Sequence, residues 1–221
     1  MTKTCTELYV RRGALPRLAV SRETLWKPGQ EITISFVGDV GDMQRIMTMG
    51  YMSLWLDYAN LSFRFLTEGK VGQVRIAFME GLGSWSYVGK QCLFVGANEP
   101  TMNFGWLNED SPEDEWERIV VHETGHMLGA IHEHQSPAAG IKWNKDYIYD
   151  YYWRTQGWSK HQVDVNVFDA YGEDVTNSKF DPESIMLYPI PQEFTLDGFS
   201  TGWNTSLSET DKEFISTLYP E

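Results

Sequence analysis

The chain has few cysteines, few bases and no long apolar run. Its 221 residues include two cysteines, and 18 Lys and Arg residues stand against 31 Asp and Glu residues. Two cysteines cannot build the disulfide framework of a small secreted domain. A formal charge of −13 disfavours binding to nucleic acid or to anionic lipid surfaces. Because a membrane helix needs about eighteen consecutive apolar residues, we also expect no membrane span.

A secretion signal is also missing from the first twenty residues. Arg11, Arg12 and Arg17 interrupt every apolar stretch there, whereas a signal peptide needs an unbroken apolar core. Either the protein is cytoplasmic, or it is exported and its leader is not part of this chain. What the chain does have is 42% hydrophobic and 14% aromatic residues, enough for one large domain or two closely packed lobes.

Histidine is rare but concentrated, since four of the five histidines lie within residues 122–134. His122 and His126 are four residues apart, so on a helix they emerge from one face and can bind one cation. Gly129 can end that helix by adopting a left-handed conformation. His132 can then return as a third ligand. Three imidazoles leave one tetrahedral position of Zn²⁺ open, as in catalytic rather than structural sites.

Glu123 follows the first of these histidines and lies about 100° around the helix from it. It is therefore placed to exchange a proton with a metal-activated water rather than to bind the metal. The pattern indicates metal-assisted hydrolysis of an amide. His134 lies two residues past His132, and we expect it to support the site or to lie at the surface rather than to serve as a fourth ligand.

The run H-E-x-x-H-x-x-G-x-x-H resembles the zinc signature of the metzincin endopeptidases, whose second mark is a downstream methionine turn. Residues 184–188, with Met186, supply that turn. Glu133 directly after the third histidine, together with Tyr188, is similar to the astacin branch in particular. The specific motifs cover only 122–133 and 184–188, although the general likeness extends from about Trp26 to the C-terminus.

The resemblance implies roles for individual residues. His122, His126 and His132 would bind one catalytic Zn²⁺, Glu123 would be the general acid/base, and Met186 would lie beneath the metal. Tyr188 would be a mobile phenol that supports the oxyanion. Glu133 would anchor a trimmed N-terminus.

Three features depart from the astacin pattern. Leu187 takes the place of the usual histidine in the methionine turn, and Pro137 follows where the family has a charged run. The four cysteines of a typical astacin domain are reduced to Cys5 and Cys92. These two pair with each other, both stay thiols, or Cys5 binds the zinc as a plug in a latent form.

Residue periodicity predicts the elements around the site. Alternating apolar residues predict strands at 31–37, 61–65 and 73–78, with shorter strands at 85–88 and 102–106. A spacing of three and four predicts helices over 43–60 and near 146–153, and a zinc helix that begins with Ser111 as N-cap and Pro112 as first residue. Ser208 and Asp211 would begin a final helix.

We therefore expect an α+β metzincin-like fold with a zinc cleft. Residues 1–25 would form a tail or remnant pro-segment and residues 26–221 the catalytic domain. An upper lobe to about residue 129, with a twisted sheet and two long helices, would face a loop-rich lower lobe that ends in a helix. The edge strand near Trp85 and Tyr87 would hold substrate by strand addition.

The predicted activity is that of a zinc endopeptidase, acting as a monomer on protein or peptide substrates. The resemblance favours an extracellular location. Two alternatives stay open: a catalytically silent zinc-containing module that binds a partner protein, and a zinc hydrolase that acts on a non-peptide amide or ester.

Overall fold

Six strands form one sheet in the protein. A computed structural model describes residues 5–8, 24–169 and 179–221. All five strands predicted from alternation are present, and a sixth lies in the segment expected to be a polar tail. The strands are Cys5–Leu8 (β1), Glu31–Phe36 (β2), Ser62–Phe65 (β3), Val74–Ala77 (β4), Ser84–Tyr87 (β5) and Met102–Phe104 (β6).

The sheet order is β1-β5-β6-β4-β2-β3. Strand β2 pairs in parallel with β3 and β4, and β4 pairs in parallel with β6. Strand β5 is antiparallel to β6 and parallel to β1, with Cys5 opposite Ser84 and Leu8 opposite Tyr87. The strand expected to be the substrate-binding edge, β5, is therefore covered by β1.

Five α-helices lie among the described residues: Asp42–Ser53 (α1), Glu113–Met127 (α2), Lys145–Gln156 (α3), Lys160–Val163 (α4) and Glu209–Leu218 (α5). The helix predicted over 43–60 is shorter than expected, because after Ser53 the chain tightens into a 3₁₀ turn, Leu54–Asp57. Within that turn the Trp55 indole donates a 2.9 Å hydrogen bond to the carbonyl of Val121, which holds the turn against α2.

The start of α2 differs by one residue from the prediction. Pro112, with an extended ψ of 151°, is the N-cap, and Glu113 is the first helical residue. Ser111 does not cap the helix, because its hydroxyl accepts a 3.0 Å hydrogen bond from the backbone N–H of Asn108 in the preceding turn. At the other end of the chain, the predicted cap of α5 is confirmed: Ser208 accepts a hydrogen bond from the backbone of Asp211.

The C-terminal end of α2 is closed by partners from distant parts of the chain. Gly129, with φ of 100°, turns the chain away from the helix axis as expected. Two carbonyls at this end, which have no partner within the helix, receive side-chain donors. The Trp26 indole donates to Met127 at 2.8 Å and the Tyr219 hydroxyl to Leu128 at 2.5 Å. The helix end is thereby fixed to both the start and the end of the domain.

Two hydrophobic clusters divide the molecule into an upper and a lower lobe. The larger cluster joins the sheet to α1 and α2 and includes Met186, whereas the smaller one lies around α3 and includes Leu187. Met186 therefore packs in the upper cluster and the next residue, Leu187, in the lower one, so the methionine turn connects the two clusters. Leu187 is 4% exposed in the lower core, so the departure from the astacin pattern at this position alters lower-lobe packing.

Within the described ranges, no helix has the length and apolar character required to cross a membrane. The described parts of this region, residues 137–169 and 179–202, are mostly irregular apart from α3, α4, a π-helical turn, Asp164–Phe168, and a 3₁₀ turn, Gln192–Phe194. This agrees with the predicted loop-rich lower lobe.

Close packing at Gly125 gives a test of the fold. A Cβ there would lie 2.4 Å from the sulfur of Met186 and 3.2 Å from the ring of Trp55, whereas one at the exposed helical residue Gly50 would meet nothing within 4 Å. We expect Gly125→Ala to lower the free energy of unfolding by about 1–3 kcal/mol through overpacking.

The matched substitution Gly50→Ala should instead raise the free energy of unfolding by about 0.5–1 kcal/mol, because alanine favours the helix. Urea denaturation of both variants measures the difference. Equal effects at the two positions would show that Met186 does not pack against α2 as described.

Candidate metal centre

Three histidine nitrogens converge on one point beneath α2. The Nε2 atom of His132 lies 3.3 Å from Nε2 of His122 and 3.1 Å from Nε2 of His126. A helix spacing of four places His122 and His126 side by side, and the turn at Gly129 returns His132 to them. All three side chains are at most 5% exposed. The structure thus brings together the three residues predicted as metal ligands.

Backbone carbonyls set the orientation of two of these rings. His122 Nδ1 lies 2.7 Å from the carbonyl oxygen of Ile185, and His126 Nδ1 lies 2.9 Å from that of Ala130. A carbonyl only accepts, so each Nδ1 carries the proton and each Nε2 presents a lone pair. Lone pairs that face one another at this distance repel unless they share a cation.

Burial favours the neutral form that a metal ligand requires. It lowers the pKa of His122 to about 4, against a partly opposing effect of the hydrogen bond to Ile185. Burial also lowers the pKa of His126 and His132 well below the ordinary value, with further lowering from the neighbouring histidines. All three imidazoles are therefore neutral at neutral pH, so each has one unprotonated ring nitrogen available to a metal.

The separations suit zinc. With Zn–N distances of about 2.0–2.1 Å, neighbouring ligands at tetrahedral angles lie roughly 3.3–3.4 Å apart, close to the observed 3.1 and 3.3 Å. Among the described residues, the histidines are joined by one further donor, the thiol of Cys5, with all four ligand atoms within 4.8 Å of one another. A set of three nitrogens and one sulfur is a zinc donor set.

Glu123 lies on α2 directly after His122 and is completely buried. It is not part of the four-residue donor cluster. This agrees with its position about 100° around the helix from His122. Glu123 is therefore a buried carboxylate on the helix that carries His122 and His126, outside the donor cluster.

The methionine turn is held in place by Asp211, a residue that the sequence marked only as part of a helix cap. One carboxylate oxygen accepts from the Ser184 hydroxyl at 2.6 Å, and the other accepts from the Ile185 N–H at 2.8 Å and the Ser208 N–H at 3.0 Å. Ile185 in turn orients His122 through its carbonyl. Asp211 thus connects α5 to the first metal ligand through one residue.

Tyr188 lies over the histidines, and its hydroxyl donates to the backbone carbonyl of Cys5. Its ring centroid is 4.2 Å from that of His132 and 4.9 Å from that of His134. Cys5 therefore contributes two groups to the site, a thiol at the histidine cluster and a carbonyl at the phenol. The sequence left open whether Cys5 pairs with Cys92, but neither cysteine is in a disulfide and both are buried.

The two residues that follow the third histidine are titratable groups, the half-buried Glu133 and the buried His134. Glu133 accepts a 3.0 Å hydrogen bond from the backbone N–H of Asp181. Burial raises the pKa of Glu133 to about 7, with smaller contributions from the nearby acids Asp211 and Asp181. His134 is 4% exposed, so of the two positions expected for it, in support of the site or at the surface, the surface position is wrong. It is not part of the donor cluster.

Comparison with known proteins agrees with the site. The family model described as Astacin, a family of peptidases, matches residues 19–218. A structure of myroilysin is 43% identical, covering 90% of this chain and 97% of that one with a TM-score of 0.87. The hatching enzyme zinc-protease HCE-1 from medaka, Oryzias latipes, has the same fold at 18% identity, covering 90% and 96% of the two chains with a TM-score of 0.61.

A curated relative is Tolloid-like protein 1 of Mus musculus, 32% identical over 133 residues. That match covers 57% of this chain but 11% of the mouse protein. The chain is therefore similar to a small part of that much longer protein.

The role of Asp211 can be tested by its removal. Asp211→Ala should lower the free energy of unfolding by about 2–4 kcal/mol, because three buried donors lose their acceptor. It should also weaken zinc binding, since Ile185 no longer holds His122 in place. Thermal unfolding with and without added zinc measures both effects.

Asp181→Ala is the matched control, because the Asp181 carboxylate accepts from Ser208 and Glu183. Its contact with the methionine turn is made by the backbone carbonyl, which accepts from the Ser184 N–H and which alanine retains. It should lose some stability and keep zinc affinity. Unchanged zinc affinity in Asp211→Ala would contradict the link from α5 to His122.

Proposed function

The chain belongs to the astacin family of zinc-dependent endopeptidases, and we propose that Glu123 and Tyr188 are its catalytic residues and His122, His126 and His132 its metal ligands. The observation that carries this proposal is the convergence of three Nε2 atoms, with those of His122 and His126 within 3.3 Å of that of His132. The Nδ1 atoms of His122 and His126 are held by carbonyls. The bound ion would polarise the substrate carbonyl and acidify a water.

Glu123 would move the proton. Its carboxylate lies beside the ligands in a fully buried position, where an acid/base group is not screened by bulk solvent. It would take the proton from the attacking water and later deliver it to the leaving amine. A carboxylate that merely filled space would leave a buried charge for no chemical purpose, so its presence argues against the catalytically silent alternative.

Tyr188 would stabilise the negative charge that develops on the substrate carbonyl oxygen. Its phenol hydroxyl is a hydrogen-bond donor, and it lies over the histidines with its ring 4.2 Å from that of His132. In the present structure the hydroxyl is bonded to the carbonyl of Cys5. It must leave that partner before it can donate to a substrate.

The substrate we propose is an extended peptide bound along β5. The outer side of β5 already pairs with a peptide strand, β1, which supports this surface as a site for strand addition. Trp85 and Tyr87 on β5 are half-buried, with ring centroids 6.2 Å apart in an edge-to-face contact. They would line the substrate path.

The described residues bring together one donor cluster, so we propose that each chain binds one zinc ion. We also propose that the enzyme acts as a monomer.

We also propose that the protein acts outside the cytoplasm. The support is the family to which it belongs, since the resemblance to astacins implies an exported enzyme. The first 25 residues would then be a pro-segment that precedes the catalytic domain.

The function is tested by incubation of the purified protein with unstructured casein, with and without a zinc chelator. We expect cleavage that the chelator abolishes and added zinc restores. Glu123→Gln should lower the rate by about 10²–10⁴-fold, the usual contribution of general acid/base catalysis, while zinc content stays unchanged.

Glu117→Gln is the matched control, because Glu117 is a half-buried glutamate on the same helix and has no proposed role. It should cleave casein as the unmodified protein does. If neither the chain nor its Cys5→Ala variant cleaves casein although zinc is bound, a silent binding module is supported instead. If casein is not cleaved but a small amide or ester is, the protein is a hydrolase of non-peptide substrates.

The placement of Cys5 supports a second proposal, that residues 5–8 hold the enzyme in a latent form. The Cys5 thiol lies in the donor cluster with the three histidines. The Cys5 carbonyl accepts the hydrogen bond of the Tyr188 hydroxyl, and the strand that contains Cys5, β1, pairs with β5. One short segment would thus take the fourth ligand position, the proposed oxyanion donor and the substrate strand at once. A thiolate is a strong zinc ligand, which makes the tethered segment an effective competitor of water and substrate.

Latency predicts that Cys5→Ala in the full chain raises the initial rate of casein cleavage by roughly 10-fold or more, because a tethered ligand acts at millimolar effective concentration. In the cobalt-substituted protein the same change should remove the near-ultraviolet absorption of a thiolate–cobalt bond. Cys92→Ala is the control, since Cys92 lies in the upper core. A thiolate absorption that persists in Cys5→Ala would overturn the proposal.

A further inference from the structure

His134 is a buried histidine that neither binds the metal nor takes part in the proposed proton transfers. It is 4% exposed and lies in the 3₁₀ turn Glu133–Gln135, directly beyond the third ligand. It is absent from the donor cluster. Its Nδ1 atom has no hydrogen-bond partner among the described residues. A buried polar atom without a partner costs about 1–3 kcal/mol, so an imidazole at this position needs an explanation.

The contacts of the His134 ring point to Tyr188. The two rings lie 4.9 Å apart between centroids and 28° from parallel. Tyr188 also packs on His132 at 4.2 Å and 37°, and His132 and His134 are 5.3 Å apart and 27° from parallel. The Tyr188 ring also lies 6.1 Å from the His122 ring and 18° from parallel to it. The phenol ring thus packs among three imidazoles. Two of them belong to proposed metal ligands, and the third, that of His134, has no proposed chemical role of its own.

His134 is itself held from the lower lobe. Its Nε2 lies 3.1 Å from the carbonyl oxygen of Asn166 in the π-helical turn. The next residue, Gln135, donates to the carbonyls of Val165 at 2.9 Å and Asp169 at 3.0 Å. On another side the Trp143 ring meets His134 edge-on at 6.2 Å. The ring is therefore fixed in position and in orientation.

From this arrangement we propose that His134 is a positioning residue for Tyr188. The fixed imidazole ring packs against the phenol ring and sets where the phenol lies when its hydroxyl donates to the substrate oxyanion. The inference rests on the role proposed above for Tyr188. The Tyr188 hydroxyl must exchange the Cys5 carbonyl for the substrate oxyanion as its partner. Because the His134 ring is rigid and nearly parallel to the phenol ring, the phenol can turn against it and keep this packing while its hydroxyl moves. A misplaced donor loses most of its effect, because such stabilisation depends on sub-ångström geometry.

The test uses the full-length chain with Cys5→Ala, so that no thiol ties residues 5–8 to the metal, and it measures kcat and KM on a fluorogenic peptide. His134→Ala should lower kcat by roughly 10–100-fold, with KM changed by less than about threefold and zinc content unchanged. His134→Phe keeps a flat ring of similar size and should restore kcat to within about threefold of the parent.

A double-mutant cycle distinguishes positioning from general structural support. Tyr188→Phe keeps the ring but removes the hydroxyl, and should lower kcat by roughly 10²–10³-fold. In that background His134→Ala should lower kcat no further, because there is no donor left to position.

Three outcomes would overturn the inference: kcat losses that multiply in the double mutant, failure of His134→Phe to restore kcat, or loss of zinc from His134→Ala. A parent protein that cleaves no peptide at all would instead overturn the proposed function. The two failures are therefore distinguishable in one experiment.

Discussion

The site depends on hydrogen bonds that fix which nitrogen of each imidazole faces the metal. The carbonyls of Ile185 and Ala130 accept from the Nδ1 atoms of His122 and His126, and so direct both Nε2 lone pairs to one point. Each carbonyl is itself held in place. Asp211 bonds the N–H of Ile185, and the turn at Gly129 positions Ala130. The metal ligands are thus oriented by a backbone that the whole domain supports.

These supports come from opposite ends of the chain. Trp26 and Tyr219 bind the last carbonyls of the zinc helix, and Met186 packs beneath Gly125. The helix cannot shift without disturbing both the upper core and the methionine turn. Such rigidity suits the proposed site, in which three histidines and the Glu123 carboxylate would have to keep fixed relative positions.

Local patterns in the sequence predicted much of this structure. The spacing of His122 and His126, the turn at Gly129 and the alternation in β2 to β4 act over a few residues, and the elements they predict are all confirmed in the fold.

Other predictions failed because they depend on contacts outside the local pattern. The predicted N-cap at Ser111 was wrong because the Ser111 hydroxyl accepts a hydrogen bond in the preceding turn. A surface position for His134 was wrong because its burial depends on Tyr188 and the π-helical turn, which lie far along the chain. Strand β1 and the contact between Cys5 and Tyr188 have no local signal at all. Strand β1 pairs with the distant strand β5, and Cys5 and Tyr188 are 183 positions apart.

X-ray absorption at the zinc edge of the purified full chain tests the central claim most directly. The account predicts stoichiometric zinc with three nitrogen ligands at about 2.0–2.1 Å and one sulfur ligand at about 2.3 Å. Absence of stoichiometric zinc, or a coordination shell without histidine nitrogens, would contradict it.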